Sequence, residues 1–198
     1  MARRASAVAQ TRQRIIDATL QLHGEQGVAA TSWDDIAARA GVGVGTVYRH
    51  FPSLDELIPA CGEITRQVIA LPDPQAVTAL FDGIDAPTQR LELLVREAFA
   101  IYERGAPQLR AIRNEPDVHP NVAEAGEEVD ASLAALTDAA VEPFGITPAD
   151  RAVVRAMIDL NTWDALRDQE LGQAEAVTAI AEMLIARITR ASGRAGAD

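Results

Sequence analysis

The run Gly45-Thr46-Val47-Tyr48-Arg49-His50-Phe51 gathers a hydroxyl, a phenol, a guanidinium and an imidazole around two apolar positions four residues apart. On a helix, Val47 and Phe51 share the inward face, which leaves Val44, Gly45, Thr46, Tyr48, Arg49 and His50 pointing outward. Short or planar donors on one face of a helix are what reading a DNA major groove requires. Arg49 can fork onto a guanine or a phosphate, Thr46 can touch a thymine methyl or donate to phosphate, and Tyr48 carries a hydroxyl on a stiff lever. Taken singly, Tyr48 or His50 reads as core or surface; the order of the surrounding parts gives the group its meaning.

Other chemistries find less support. The histidines His23, His50 and His119 and the single cysteine, Cys61, show no nucleophile–base spacing, and no Gly-rich phosphate loop follows a strand, so an enzyme is not expected. Cys61 reads as a small buried hydrophobe. The loop Asn114-Glu115-Pro116-Asp117-Val118-His119 collects oxygen and nitrogen atoms but lacks an i, i+4 histidine pair or cysteine spacing, so neither metal nor cofactor is expected. His23 reads as a packed or partly exposed histidine rather than a functional one.

The elements that must position the groove-facing residues are helical throughout, because apolar residues recur at three-to-four spacing between Gly and Pro breaks and no strand-like alternation occurs. The fold class is all-α. A first helix is predicted from Thr11 to His23. A second starts at Ser32, with Asp35 three residues on as in a capping box, and carries Trp33, Ile36, Ala37 and Ala40 inward. Gly41-Val42-Gly43 breaks the chain tightly enough that the helix from Val44 to His50 packs steeply across the second, a helix-turn-helix. A helix capped by Ser53 and kinked at Pro59 follows. Further helices are predicted over Gln75–Phe81, Pro87–Arg104, Pro107–Asn114, Val122–Val141, Pro148–Leu171 and Gln173–Ala191, with a disordered tail beyond. The division is a DNA-binding domain over 1–53 and a helical body over 54–198.

Charge follows that division. The chain carries a net −11, yet residues 1–51 hold six arginines against four acids, a net +2, and the rest carries −13. A weakly basic head on an acidic body suits a protein that presents one end to DNA. The basic start at Arg3 and Arg4 reads as a flexible arm, with no apolar run of signal-peptide or membrane-spanning type behind it, and the expected location is cytoplasmic. In the body, Phe99, Tyr102 and Trp163 are candidate effector-binding residues, alongside Phe81 and Phe144, with the alternative that these rings are simply core. The apolar stripes over 148–191 could form a four-helix seam with a second chain or serve as one chain's core; spaced half-sites on DNA favour the seam.

Across Thr11 to Leu57 the parts resemble the TetR family of bacterial transcriptional regulators. The resemblance lies in Thr11-Arg12-Gln13-Arg14-Ile15-Ile16-Asp17-Ala18, Gly27, Thr31-Ser32-Trp33-Asp34-Asp35-Ile36-Ala37, Ala40-Gly41-Val42 and Thr46-Val47-Tyr48-Arg49-His50-Phe51. It covers about a quarter of the chain. The resemblance implies an all-helical homodimer with a three-helix DNA-binding head and a body that takes a small-molecule effector. Carried over by position, it makes Thr46, Tyr48, Arg49 and His50 contacts to double-stranded operator DNA, with Ser32 reaching phosphate. The chain departs from the family's pattern at Gly43-Val44, where Ser-Lys is frequent, at Leu54, where Lys is frequent, and at His23, where a core Phe is usual. An effector-free architectural protein that has lost sequence reading is the competing function those missing cations favour.

Overall fold

Helix-forming Ala, Arg and Gln dominate the opening residues, and nothing in them stops a helix. α1 accordingly runs Ala2–Gln26, beginning nine residues before the predicted Thr11. The computed structural model describes residues 2–195, and the side chains of 5–189. The side chains of the expected basic arm, Arg3 and Arg4, therefore lie outside the described residues. Among the described residues the chain forms α2 (Trp33–Ala40), α3 (Val44–His50), α4 (Leu54–Ile69), α5 (Pro87–Asn114), α6 (Pro120–Val141), α7 (Pro148–Met157), α8 (Leu160–Asp168) and α9 (Gln173–Ala195), with no strand.

Several boundaries correct the sequence reading. The segment at 75–81 is a 3-10 turn over Val77–Phe81. The two helices predicted on either side of Gly105 hold, by contrast: α5 is broken by a kink where Gly105 takes the non-helical φ −143° and ψ 19°, with Pro107 just beyond it. The single helix predicted over 148–171 is two, because Ile158 leaves helical geometry and Asp159 caps a new start by accepting from the Asn161 amide at 2.8 Å. The tail predicted beyond Ala191 is helical to Ala195, and 196–198 lie outside the described residues. α4 carries Pro59 within it and continues to Ile69.

The chain divides into two compact units, one of residues 1–69 with 105–127, the other of 70–104 with 128–198. The first is built on Ile15, Ile16 and Leu22 of α1, Ile36, Ala37 and Ala40 of α2, Val47 and Phe51 at α3, and Leu57 and Cys61 of α4. Burial pushes the Cys61 thiol up to about 12, which keeps it protonated and unreactive at neutral pH. His23 is buried at 9% exposure in the same unit. Loss of hydration pulls its imidazole down to about 4, against the opposite pull of the Glu115 carboxylate.

In the second unit α5 buries Leu91, Leu94, Val95, Phe99 and Tyr102, α6 buries Leu133 and Leu136, and α9 buries Ile180, Leu184 and Ile188. Arg90, only 8% exposed, ties this unit together. Its Nε and Nη2 donate to the Ala140 and Ala139 carbonyls at 3.0 and 2.6 Å, and Nη1 donates to those of Phe81 and Ile84 at 3.1 and 2.8 Å. Two of these acceptors belong to the last turn of α6, whose carbonyls have no partner within the helix, so a cation there also meets the negative end of the helix dipole.

Arg90→Ala therefore removes the guanidinium from four carbonyls, of which that of Phe81 keeps the Ile84 amide at 3.1 Å, and should cost about 2–4 kcal/mol. Urea unfolding measures it, and Arg90→Lys should recover only part, since an ammonium cannot reproduce the planar fork. For His23 the unfolded chain takes up a proton near pH 6.5 and the folded chain only near pH 4. Its contribution is thus complete above pH 6.5 and is lost as pH falls through that window. His23→Phe should remove a slope of up to about 1.4 kcal/mol per pH unit there. Denaturant titrations at pH 7, 5.5 and 4.5 test this, and parallel wild-type and variant slopes would refute it.

Candidate nucleic-acid interface

The α2–α3 pair is fixed by local signals at each end. Ser32 Oγ accepts from the Asp35 amide at 3.1 Å, while the Asp35 carboxylate accepts from the Ser32 amide at 3.2 Å and its hydroxyl at 2.6 Å. This reciprocal capping holds the Asp35 carboxyl below the ordinary range, the Ser32 hydroxyl bond being the largest cause. Gly41 ends α2 in the left-handed region at φ 65°, ψ 41°, a conformation that costs a side chain but not glycine. Gly43 opens α3 with its carbonyl accepting from the Thr46 and Val47 amides. Neither end of the turn leaves slack.

α3 then divides as its sequence predicts. Val47 and Phe51 are fully buried, while Val44, Gly45, Tyr48 and Arg49 are exposed and Thr46 and His50 half-buried. A Cβ at Gly45 would meet no atom within 4 Å, so this position is open. Arg49 Nη2 donates to Thr46 Oγ1 at 2.9 Å, which holds the guanidinium along the outer face. Arg12 of α1 lies 4.6 Å over the Phe51 ring.

Two placements add to expectation. Trp33, predicted to point inward, is half-buried and packs against the core cluster, and its ring also lies 5.0 Å from Tyr48 at a 33° tilt. The stack makes Trp33 a support for an exposed phenol 46% accessible, and only the pairing of two aromatics across the turn could have signalled it. Ser32 keeps its place at the start of α2, but its hydroxyl is engaged as both donor and acceptor in the cap.

In the second unit the three candidate effector residues are contiguous. Phe99 lies 6.4 Å from Tyr102, and Tyr102 lies 6.1 Å from Trp163. Their polar ends already have partners: Tyr102 donates to the Ile158 carbonyl at 2.8 Å and Trp163 to Gln173 Oε1 at 3.2 Å. Tyr102 also lines a recess of about 520 Å³ with Asp130, Leu133, Arg155, Asn161 and Thr162; Phe99 and Trp163 are not part of its wall. Sequence reasoning missed Asp130, Arg155 and Asn161, which carry no aromatic or motif signal. Of the apolar residues predicted for a seam, Val154, Ile158, Leu160, Trp163, Ile180, Leu184 and Ile188 are buried within the one chain, and Met183 is exposed. Among the described residues no cluster of His, Cys, Asp or Glu could hold a metal, and no helix is long and apolar enough to cross a membrane.

Residues 15–61, which span the helix-turn-helix and its supports, match the profile of the bacterial regulatory proteins, tetR family. The chain is 37% identical over 101 residues to the HTH-type transcriptional regulator TtgW of Pseudomonas putida, covering 46% of this chain and 75% of that protein. It is 33% identical over 117 residues to the HTH-type transcriptional repressor KstR of Mycolicibacterium smegmatis, covering 59% of this chain and 54% of KstR. Against curated relatives such as KstR the chain thus spans about half of the partner's length. The structure of the transcriptional regulator FadR of Bacillus subtilis in complex with stearoyl-CoA superposes with a TM-score of 0.58 at 18% identity, over 87% of this chain and 96% of that one. The chain belongs to the TetR family of transcriptional regulators.

The cap predicts one measurable effect. Ser32→Ala should lower stability by about 1 kcal/mol, because an orphan amide loses its acceptor; an unchanged denaturation midpoint would show that Asp35 alone suffices.

Proposed function

We propose that the protein is a sequence-specific, DNA-binding transcriptional regulator, and by family a repressor, which reads a near-palindromic operator through two copies of α3. The observation that supports this most directly is the division of α3, with Val47 and Phe51 fully buried and Tyr48 and Arg49 exposed. On this reading Val44, Gly45, Thr46, Tyr48, Arg49 and His50 meet the groove and its walls. Ser32 approaches phosphate as the first residue of α2's cap. Residues 1–53 are the DNA-binding domain and 54–198 the body for effector and partner. The relatives are named as transcriptional regulators, which supports a regulator over an enzyme, and such a protein acts on DNA in the cytoplasm.

The body supports effector control through the ring cluster of Phe99, Tyr102 and Trp163 and the recess beside it, whose volume falls in the range of small-molecule sites. FadR's complex with stearoyl-CoA shows that a protein of this fold takes a small-molecule ligand. Dimerisation is assigned to 148–191, where Met183 on α9 stands 59% exposed after the single chain has packed its core. Dimers are what two half-sites demand. The architectural reading keeps one specific observation in its favour: Val44 and Leu54, exposed at 38% and 44%, are apolar where cations would strengthen the hold on phosphate.

Selection of bound sequences from random duplex DNA separates the two. A regulator yields a palindromic winner with half-sites spaced for a dimer, whereas equal, salt-driven binding to all duplexes supports the architectural reading. On the winner, Arg49→Ala or Tyr48→Ala should weaken affinity, by about 1–3 kcal/mol for an arginine that contacts a base; unchanged affinity in both variants would remove α3 from the groove.

A further inference from the structure

The α2–α3 pair is bracketed by contacts from a segment far along the chain, within the same unit. Before α2, Glu115 Oε2 accepts from two successive backbone amides, Val28 at 2.6 Å and Ala29 at 2.9 Å, across 87 and 86 residues of sequence. The turn is shaped to admit the carboxylate. Gly27 takes φ +90°, which a side chain rarely adopts, and a Cβ there would lie 2.2 Å from Glu115 Oε1. Convergent amides of this kind form a concave site for negative charge, filled here from within the chain. Thr31 Oγ1 then donates to the Gly27 carbonyl at 2.7 Å, and the next residue is Ser32, the cap of α2.

Beyond α3 the same segment makes a second contact. His119 Nδ1 accepts from the Asn121 amide at 3.1 Å, so Nε2 carries the proton and donates to Asp55 Oδ1 at 3.0 Å, in the first turn of α4. His119 is 10% exposed and Asp55 87%. The segment is seated along α1 as well: Gln108 Nε2 donates to the Leu20 carbonyl at 3.4 Å, and Pro107 sits where a Cβ on Gly24 would come within 2.7 Å of it. Two residues of the connector between α5 and α6, Glu115 and His119, thus hold the turn that leads into α2 and the helix that leads out of α3. Neither residue belongs to the apolar cluster on which the helix-turn-helix is built.

We propose that Glu115 and His119 are positioning residues that fix the orientation of the helix-turn-helix for reading DNA; this rests on the assignment of α3 as the reading helix. They touch no base. They set the angle at which α3 is presented, so their loss degrades discrimination between sequences more than the hold on phosphate.

The test uses the full chain, the selected duplex and an unrelated duplex of equal length, with melting of each variant followed in parallel. Glu115→Ala should weaken binding to the selected duplex about tenfold, within the usual span of coupling between sites, and leave the unrelated duplex unchanged. Glu115→Gln, whose amide oxygen still accepts from both amides, should recover most of that loss. The Val28 and Ala29 amide resonances should shift in Glu115→Ala. Arg49→Ala serves as the control for the reading helix. If Glu115→Ala only lowers the melting temperature while Arg49→Ala loses discrimination, the positioning role is overturned and the α3 assignment stands. If Arg49→Ala also behaves as wild type, the α3 assignment falls and the positioning role with it. Should Glu115→Ala fail to fold, Asp55→Ala, altered at an exposed side chain, decides: reduced discrimination supports the proposal and wild-type discrimination overturns it.

Discussion

Everything on the outward face of α3, the proposed reading face, depends on the burial of Val47 and Phe51. α3 has seven residues and no side-chain cap, and a helix of that length has no stability of its own in water. It exists because one face is committed to the cluster that holds Ile15, Ile16, Ile36 and Leu57. Full burial of a valine and a phenylalanine contributes about 1.5–3 kcal/mol each, comparable with what a short helix costs to nucleate and hold. The outward residues stand exposed in a fixed order only because the inward ones are not free to move. Arg12 adds to this from above the Phe51 ring, so α1 holds α3 both through its apolar face and through a cation over an aromatic.

That dependence explains the tight turns. A loop with slack between α2 and α3 would let the shorter helix rotate about its two anchors, which would move Tyr48 and Arg49 relative to the groove. Gly41 in the left-handed region and Gly43 at the cap remove the slack in three residues. Trp33 contributes from the other side by backing the Tyr48 ring, which turns an exposed phenol into a stiff one. The body solves a comparable problem with Arg90, whose fork replaces separate contacts that the 3-10 turn and the end of α6 would otherwise have to find.

The head was legible in the sequence because its determinants lie within a few residues of one another. Ser32 with Asp35, Gly41 with Gly43, and the four-residue spacing of Val47 and Phe51 are all local, and each fixes one boundary or one face. The break between α7 and α8 was not legible: no Gly or Pro marks it, and the capping Asp159 sits inside an apolar periodicity that runs past it from Val154 to Leu166. Arg90 reads as a surface residue near the start of a helix until the chain brings α6 to it. Glu115 is separated from Val28 by 87 positions, and nothing in either neighbourhood announces the other. The sequence singled out Phe99, Tyr102 and Trp163 by type, but which carbonyl takes the Tyr102 hydroxyl is a property of the fold.

The electrostatics of the head also change once partners are known. A net +2 over residues 1–51 suggests attraction to phosphate, but Arg39 is paired with Glu25 through both nitrogens, at 2.9 and 2.8 Å. Arg12 lies over Phe51 and Arg49 donates to Thr46, contacts with neutral groups that fix the two side chains and leave their charge in place. A net +2 projects only a weak field, and surface charges more than about 10 Å apart are largely screened at ordinary ionic strength. On the proposed function, long-range steering would therefore contribute little. Affinity for DNA would have to come from groups in direct contact, which places the demand back on the orientation of α3 and on the residues proposed to set it.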